Sequence, residues 1–332
     1  MSNWPSVTVL VAVKNVKRTI RRCMDSLLNL DYPNYSIYVM DEYSTDGSWE
    51  ILKRYAKKYK KVRVKQSRKN VPARYNDALR EIKTEYVALT DGDCVVDKNW
   101  LKELLKGFKE KDVLVCGGKC KTPKDVSELQ KYIGIELDDR FKKLGKYPSK
   151  LPTMNMMFRT ETGRLIGFDE SLLVAYDSDF CFKVWRYGKI RYCPKALVYH
   201  YHRASWSSFF RQQFKTARYM GILYFKHKNR VRGDRISQGR LLIQPFLMDS
   251  SLLFFSLALL NRLFLIPAII LLLALFSVYV AHMNSLSKTW SDRFWFFRLF
   301  IVRTLAFGIG LPVAAVKLVL YLISKKFSHA HE

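Results

Sequence analysis

Short apolar runs of strand length alternate with stretches of helical periodicity through the first third of the chain. Val7–Val13 is a continuous and mostly β-branched run, which is typical of a strand buried on both faces. Further strands are predicted at Ser36–Met40, Val62–Lys65, Tyr86–Thr90 and Asp112–Gly117, and helices at Lys17–Leu28, Trp49–Tyr59, Asn76–Ile82 and Lys98–Glu110. Strands that alternate with helices predict an α/β fold built on a parallel sheet.

Two aspartates, Asp91 and Asp93, follow the predicted strand Tyr86–Thr90 with only Gly92 between them. Side chains two residues apart point to the same side of an extended chain, so the two carboxylates converge, and the glycine lets other groups approach closely. This pair predicts a site for Mg²⁺ or Mn²⁺, which prefer oxygen ligands and keep positions open for substrate phosphates. A solvated Asp-Gly turn is the alternative.

The carboxyl ends of the predicted strands carry the other polar candidates. Asn15 follows the first strand, Asp41 the second and Asp91 the fourth. Ligands of parallel α/β sheets bind in the crevice beyond these ends. The sequence therefore predicts one crevice that collects all three side chains.

The charge of the chain points to an anionic partner. The 332 residues include 57 Lys and Arg against 29 Asp and Glu, a net charge of +28, and they suffice for one large domain or for one domain with an appendage. Six scattered cysteines are expected to be reduced and mostly buried, because Cys116 and Cys120 lack a second pair at zinc-site spacing. Strand-like residues follow Met1–Pro5 at once, so no signal peptide is expected.

Seven blocks along the chain carry a family resemblance. They are Val7–Asn15, Met40–Gly47, Asn70–Asn76, Asp91–Asp93, Met154–Arg159, Gly167–Glu170 and Tyr176–Cys181. In order and spacing, over residues 5 to about 225, the chain resembles the family 2 glycosyltransferases. The resemblance implies an α/β fold of the GT-A type, a Rossmann-like domain that uses sugar nucleotides. No glycine-rich phosphate loop occurs in Val11–Arg18, which argues against a related pyrophosphorylase.

The resemblance also implies roles for the matching donor-site residues. Asp41 would hydrogen-bond the nucleotide base, and Arg74 with Asn76 would hold the nucleotide and its phosphates. Asp91 would contact the ribose or the metal, and Asp93 would ligate the metal.

The remaining roles lie at the end of the first strand and near Tyr176. Val13 and Asn15 would complete the donor site, and Asp177 would be the base for the acceptor. The chain departs from the family pattern at three positions, where Ala12, Lys14 and Tyr176 stand in place of a Pro, an aromatic residue or Thr, and a Glu. The first two would tune the nucleotide pocket, and the third bears on the strength of the base.

Structural roles compete with several of these assignments. Asp41 and Asp46 are placed where they would cap the helix that follows, and Asp46 is assigned that role. Arg74 is alternatively a surface charge. Asp179 is assigned mainly to capping the helix Phe180–Tyr187, which leaves the chemistry to Asp177.

Two histidines alternate near the end of a further predicted strand, Ala196–His202. His200 and His202 face one side of that strand, and the family often has a histidine here near the metal. One of the two is therefore a candidate ligand, and His202 is favoured.

Ser205–Phe225 is predicted to be an amphipathic helix. Trp206, Phe210, Phe214 and Ala217 form its apolar stripe. A basic stripe of Arg211, Lys215 and Arg218 lies beside it and would sit over the pyrophosphate or lipid headgroups. The alternative is a core-facing helix with a solvated basic face. The spacing does not match the block of processive synthases, so transfer of single sugars is expected.

The composition changes sharply after the catalytic domain 1–225. A basic linker, 226–240, precedes a predicted transmembrane hairpin over 241–281, formed by Leu241–Leu260 and Leu263–Ala281, although Asp249 is unfavourable within a span. In the helical tail 284–332, Gly308, Gly310 and Pro312 are expected to break Thr304–Ser324, which favours an interfacial or re-entrant segment. Basic flanks, including Arg303, place both ends of the hairpin in the cytoplasm and predict a multi-pass protein of the cell membrane.

Together these features predict a membrane-anchored, metal-dependent, inverting glycosyltransferase that uses Mg²⁺ or Mn²⁺. It would move one sugar from a UDP- or GDP-sugar to a lipid-linked (polyprenyl) sugar in glycan or polysaccharide assembly. A polyprenyl-phosphate sugar synthase is the first alternative. A non-catalytic nucleotide-binding relative and a nucleic-acid-binding membrane protein are more distant, and the dispersed basic residues argue against nucleic acid.

Overall fold

The computed structural model of the protein describes residues 4–228 and 240–328. Most of the predicted basic linker 226–240 lies outside these residues. The chain divides into two compact units, one of Met1–Val126 with Arg140–His202 and the other of Ser127–Asp139 with Arg203–Glu332. The domain limits expected from the sequence stay predictions.

The secondary structure follows the alternating order that the apolar pattern predicts. The strands are β1 (Val7–Val13), β2 (Tyr35–Asp41), β3 (Val62–Gln66), β4 (Tyr86–Asp91), β5 (Cys94–Val96), β6 (Val113–Lys121), β7 (Met156–Arg159) and β8 (Lys189–His200). The α-helices are α1 (Ile20–Leu28), α2 (Ser48–Lys58), α3 (Val71–Glu81), α4 (Trp100–Leu105), α5 (Glu128–Lys142), α6 (Thr160–Ile166), α7 (Tyr176–Val184), α8 (Trp206–Lys226), α9 (Arg240–Leu257), α10 (Leu265–Leu286) and α11 (Trp290–Ser328).

The strands form one mixed sheet in the order β3-β2-β1-β4-β7-β6-β8-β5. The first four are parallel, as predicted. The predicted strand β6 runs in the same direction as β4, because both are antiparallel to β7, and β8 is parallel to β6. The sheet is nevertheless mixed, because β7 and β5, which were not predicted as strands, run antiparallel to their neighbours.

The two faces of the sheet are covered by different helices. Alternate residues of β1, from Val7 to Val13, face a cluster that includes Ile20 and Met24 of α1 and Leu52 of α2. Leu10 faces the other cluster, with Tyr75 and Leu79 of α3. The parallel half of the sheet is thus buried on both faces, which explains the near-continuous apolar run of β1.

Helix α3 begins five residues before the predicted start at Asn76. Asn70 accepts a hydrogen bond from the backbone N–H of Ala73, and Pro72 stands in the first turn. Both are helix-start signals, since an Asn cap satisfies a free N–H and proline needs none there. Arg74 therefore projects from the helix and not from the loop before it, and Asn76 lies in the helix interior.

The second unit is helical and holds the segment Ser127–Asp139 by polar and aromatic contacts. Tyr132 donates a hydrogen bond of 2.8 Å to Asp292, and its ring stacks on Trp295 with 5.6 Å between centroids. Glu136 forms a buried, two-pronged ion pair with Arg303. Arg303 was counted among the basic flanking residues in the topology argument, but its side chain is buried in this pair.

Helix α11 is continuous from Trp290 to Ser328, so the predicted break is wrong. Its glycines serve close packing instead. A Cβ atom on Gly308 would lie 2.5 Å from Oδ1 of Asp249, and one on Gly310 would lie 2.7 Å from Cβ of Ala217. These glycines let neighbouring helices approach α11 without ending it.

Two helical segments are long and apolar enough to cross a membrane, judged by length and composition. They are Arg262–Leu286, of 25 residues, and Trp290–Val316, of 27 residues. Within the first predicted span, the apolar helix Ile243–Leu257 is shorter. Exposed Ile266, Ile270 and Leu273 along α10 form the kind of surface that a bilayer would cover.

Candidate active site

The carboxyl ends of β2, β1 and β4 lie side by side. Val13 is in register with Asp41, and Ala12 with Asp91. In the order β3-β2-β1-β4 the chain leaves β1 toward one side and returns on the other, so a topological switch point lies between β1 and β4. The ends of the three strands that carry or precede Asn15, Asp41 and Asp91 therefore lie along one edge of the sheet, as predicted.

Asp41 is fully buried and holds the loop that follows β2. Its carboxylate accepts hydrogen bonds from the backbone N–H of Ser44 (3.0 Å), from the Ser44 hydroxyl and from Nε2 of Gln66 (2.9 Å). Three of the oxygen lone pairs are thereby engaged within the protein. Asp41 is therefore an organiser of this edge, and its contact with a base stays a prediction.

Asn15 links the loops after β1 and β2. Its Oδ1 accepts a 2.8 Å hydrogen bond from the backbone N–H of Thr45, and its own N–H donates to the Ser44 hydroxyl at 2.8 Å. Its backbone has φ 52°, a left-handed conformation that asparagine tolerates. The residue in the N-cap position of α2 is Gly47 and not Asp46 as predicted, but Asp46 accepts from the N–H and hydroxyl of Ser48, the first residue of the helix.

Arg74 lies beneath this edge with 1% of its surface exposed. Its guanidinium donates to the carbonyl oxygens of Val13 (3.0 Å) and Met40 (2.7 Å) and pairs with Glu42 at 3.0 Å. Burial lowers the pKa of Arg74, and the Glu42 carboxylate opposes that shift. The surface-charge alternative is wrong, because the side chain ties the carboxyl ends of β1 and β2 together.

Lys14 also pairs with Glu42, whose carboxylate is therefore shared between Lys14 and Arg74.

The side-chain amide of Asn76 binds the segment Phe168–Glu170. It donates to the Phe168 carbonyl and to Glu170 at 2.9 Å, and accepts from the Phe168 N–H at 2.8 Å. Asn76 thus fixes the segment after α6, and its role toward phosphates stays a prediction.

The candidate metal site forms at the end of β4. A Cβ atom on Gly92 would lie 2.6 Å from Cγ1 of Val13, so the close approach predicted for this glycine is confirmed. Asp93 then lies beside His200, with 3.5 Å between Oδ1 and Nε2. Cys94 completes a group of three whose ligand atoms lie within 4.8 Å of one another.

The donor set of this group fits a divalent cation. Carboxylate and imidazole are both metal ligands, and the 3.5 Å between Asp93 and His200 exceeds an ordinary hydrogen bond. Burial raises the pKa of the Cys94 thiol well above its usual value, and Mg²⁺ and Mn²⁺ prefer oxygen ligands to thiolate. Asp93 and His200 are therefore the ligand candidates, with Asp91 on the strand beside them.

The preference for His202 is not supported by the geometry. Its Nε2 lies 2.9 Å from the Thr122 hydroxyl, and the two histidine rings meet edge to face at 4.6 Å. Burial, then the neighbouring His200, lowers the pKa of His202 well below its usual value. For His200, burial also acts to lower the pKa, but the Asp93 carboxylate raises it overall.

Asp177 stands in the first turn of α7, after Ala175 in a left-handed conformation with φ 67°. Its carboxylate accepts a hydrogen bond of 2.7 Å from the Ser178 N–H. Burial raises the pKa of Asp177, against the opposing effect of Lys150. The neighbouring Tyr176 packs its ring against Tyr75 and Phe168, and burial raises the pKa of its hydroxyl, so Tyr176 adds no charge beside Asp177.

Asp179 does not cap a helix. Helix α7 begins at Tyr176, which places Asp179 inside its first turn, where the carboxylate pairs with Lys183 at 2.7 Å.

The three basic candidates of α8 belong to the second unit. Arg211 and Lys215 are exposed, and Arg218 lies over the ring of Tyr219. Their contact with a donor stays a prediction.

Two details of the sequence analysis change in the structure. In α8, Phe209 is buried where Phe210 was expected, whereas Ala217 is buried as predicted. Gln66 and Ser44, which hold Asp41, were not identified from the sequence. Gln66 ends β3 at the same edge, so the carboxyl-end rule applied to that strand would have pointed to it.

Comparisons with known proteins bear on the family and the fold of the chain. Residues 8–169 match the model of the family "Glycosyl transferase family 2". The beta-monoglucosyldiacylglycerol synthase of a Nostoc species is 31% identical over 115 residues, which are 33% of this chain and 25% of the relative. The poly(ribitol-phosphate) beta-glucosyltransferase of Bacillus spizizenii is 33% identical over 120 residues, which are 35% of this chain and 19% of the relative.

A solved structure covers more of the chain. The mannosyltransferase PcManGT from Pyrobaculum calidifontis, in complex with GDP-Man and Mn²⁺, superimposes with a TM-score of 0.61 at 20% identity, over 95% of this chain and 87% of that one. The alignments with the curated relatives that we compared span between 15% and 47% of the relatives' length. The chain therefore carries a family 2 glycosyltransferase domain with the GT-A fold.

Proposed function

We propose that the protein is a membrane-anchored, inverting glycosyltransferase that requires Mg²⁺ or Mn²⁺. It transfers one sugar from a UDP- or GDP-sugar to a sugar on a lipid carrier, of the polyprenyl type, in glycan or polysaccharide assembly. The observation that carries the proposal is the edge formed by Asp41, Asp91 and Asp93 at the switch point of the sheet, with His200 beside Asp93.

The donor would lie along this edge. Asp93 and His200, with Asp91, would hold the cation, and a bound cation would offset the charge that develops on the departing nucleoside diphosphate. Arg74 keeps the ends of β1 and β2 in place through two carbonyl contacts. The structural neighbour's complex with GDP-Man and Mn²⁺ supports this choice of donor and metal.

Asp177 supplies the base. As the acceptor oxygen attacks the anomeric carbon, its proton moves to the Asp177 carboxylate, and the bond from the anomeric carbon to the diphosphate oxygen breaks. Attack from the face opposite the leaving group inverts the anomeric centre. Burial raises the pKa of Asp177 and so makes it a stronger base than an exposed aspartate.

A lipid-linked acceptor is supported by the apolar helices of the second unit and by the glycolipid synthase among the relatives. We infer a cytoplasmic catalytic domain and a hairpin in which α9 and α10 cross the membrane, because Lys288, Arg293 and Arg298 follow α10. Tyr176 favours one further possibility, a polyprenyl-phosphate sugar synthase, since an anionic phosphate acceptor needs no base.

A donor screen tests the proposal. Purified protein with Mn²⁺ is incubated with a panel of UDP- and GDP-sugars, and the slow release of nucleoside diphosphate is measured. One donor should be hydrolysed above the background of an Asp93→Ala sample of equal stability. Hydrolysis of no donor, with no binding of UDP or GDP, would refute the proposed activity and favour a non-catalytic relative.

A further inference from the structure

Tyr43 adopts a backbone conformation that a bulky side chain rarely takes. Its φ is 48°, and the two other non-glycine residues with positive φ among the described residues are Asn15 and Ala175. An aromatic residue in this region is a real outlier, and such strain gathers at functional positions. Glycine would adopt the same turn at no steric cost.

Burial of the Tyr43 side chain does not offset the backbone strain. The residue is 47% exposed, and within the described residues its hydroxyl makes no hydrogen bond. One partner covers a face of the ring, since Cζ of Arg68 lies 4.8 Å from the ring centroid. Arg68 is itself exposed and follows β3 by two residues. Together they form an exposed aromatic surface with a guanidinium beside it.

Hydrogen bonds on both sides fix the Tyr43 backbone. The N–H of Glu42 donates to the Val13 carbonyl at 2.9 Å, and that of Ser44 donates to Asp41 at 3.0 Å. Asp41 is held in turn by Gln66. The loop therefore imposes the conformation, and the tyrosine ring is presented in one orientation.

The position of this surface matches one part of a nucleotide-sugar donor. Tyr43 follows β2 and Arg68 follows β3, whereas the metal candidate Asp91 ends β4 and Asp93 follows it. Two strand spacings, about 10 Å, separate the ends of β4 and β2. If the diphosphate of a donor lies at the end of β4, its ribose spans the distance between the two strand ends. The nucleobase then lies at the end of β2.

We propose that Tyr43, with Arg68, forms the stacking surface for the nucleobase of the donor. The inference rests on the proposed function. It assigns Asp41 to positioning, because that carboxylate already accepts three hydrogen bonds that shape the Tyr43 loop. Stacking is tolerant of base identity, so the surface supplies affinity for both uracil and guanine nucleotides.

Binding to the full-length protein in detergent tests this, with UDP, GDP and inorganic pyrophosphate as probes in the presence of Mn²⁺. Tyr43→Gly should weaken the binding of whichever nucleoside diphosphate the wild type takes by about tenfold, and leave pyrophosphate binding unchanged. Tyr43→Phe keeps the ring and should bind within about twofold of wild type. Arg68→Ala should cost about two- to fivefold, as for an exposed cation–aromatic contact.

Thermal stability separates a functional from a structural tyrosine. Tyr43→Gly should melt at the wild-type temperature or higher, because it relieves the positive φ. Tyr187→Gly is the matched control, since Tyr187 is an exposed tyrosine before β8 with no positive φ, and its loss should leave nucleotide binding unchanged.

Three outcomes would overturn the inference. They are wild-type affinity for the nucleoside diphosphate in Tyr43→Gly, equal loss of nucleotide and pyrophosphate binding in that variant, or a clear fall in its melting temperature. Failure of the proposed function is seen separately, in the wild type alone. A wild-type protein that binds neither UDP nor GDP would contradict the proposed donor, and this inference with it.

Discussion

Nε2 of His200 lies 3.5 Å from Oδ1 of Asp93, at the end of the strand that carries the candidate metal site. The contact arises from strand pairing, because β5 and β8 meet with Cys94 opposite His200, and Asp93 immediately precedes Cys94. His202, two residues further on, turns to the Thr122 hydroxyl. His200 is therefore the histidine that a cation on Asp93 would reach.

His200→Ala should weaken the binding of Mn²⁺ by about tenfold or more, the range found when groups that support a metal site are removed. His202→Ala is the matched control and should change Mn²⁺ affinity much less, because its ring is held by Thr122. Calorimetric titration of Mn²⁺ into each purified variant measures both. A larger loss in His202→Ala would reverse this assignment.

Asp177→Asn should slow transfer to a hydroxyl acceptor by at least about 10²-fold, the lower range for a positioned base. The amide keeps the size of the side chain and can still accept from Ser178, so donor binding should hardly change. Single-turnover transfer measured beside donor affinity checks this. Near-normal transfer would show that Asp177 is not the base, or that the acceptor is an anionic phosphate.

The same substitution should stabilise the protein at neutral pH. Burial raises the pKa of Asp177, so the folded state favours the neutral carboxyl. This contribution to stability is full below the ordinary aspartate pKa of about 3.9 and is lost as the pH rises through the raised pKa. Asn is neutral throughout, so the melting temperature of Asp177→Asn should exceed that of wild type at pH 7.

The difference between the two proteins should vanish toward pH 4, where the wild-type carboxyl is also neutral. Asp179→Asn serves as the contrast and should lower the melting temperature at pH 7, because it removes the partner of Lys183. Melting curves recorded across this pH range decide the matter. A lower melting temperature for Asp177→Asn at pH 7 would argue that Asp177 is a structural carboxylate.

The parallel half of the site could be predicted because the end of each strand is visible in the sequence, as the point where a short apolar run gives way to a polar residue. β1, β2 and β4 are short apolar runs, and the polar residue at each carboxyl end must lie along the same edge once the strands are parallel. Asn15, Asp41 and Asp91 follow from that rule. What each side chain contacts does not follow from it, as the burial of Arg74 under the edge illustrates.

The part of the site formed by the antiparallel strands β5 and β8 could not be predicted, for a different reason. The choice between His200 and His202 depends on the pairing of β5 with β8, which joins residues about a hundred positions apart. Both histidines satisfy the local alternation, so no local pattern separates them. Gly308 and Gly310 likewise predicted a broken helix. Their actual role, close packing against α9 and α8, could not be predicted because the residues they contact are distant in the sequence.

The membrane topology is tested at two positions, one before α10 and one in its last turn. If α9 and α10 form the hairpin, a cysteine at Asn284 should be labelled from the same side as the catalytic domain, and one at Asn261 from the opposite side. Both positions are exposed. Impermeant labelling of sealed vesicles measures the two sides. The reverse pattern would mean that α10 and α11 are the crossing helices, which their length and composition allow.

The central claim is that a divalent cation at the Asp91–Asp93 edge is needed to cleave a nucleotide-sugar donor. It is tested most directly by the release of nucleoside diphosphate from the matching donor, measured in Mn²⁺, in EDTA and after Mn²⁺ is restored. Asp112→Asn, a change of the same charge at an exposed residue before β6, is the control.

Wild type and Asp112→Asn should release nucleotide in Mn²⁺, stop in EDTA and recover when Mn²⁺ returns. In Mn²⁺, Asp93→Asn should release nucleotide at least about 10²-fold more slowly than wild type while keeping its melting temperature, because the cation that would offset the charge on the leaving diphosphate is no longer held. Full turnover in EDTA, or a wild-type rate in Asp93→Asn, would contradict the claim.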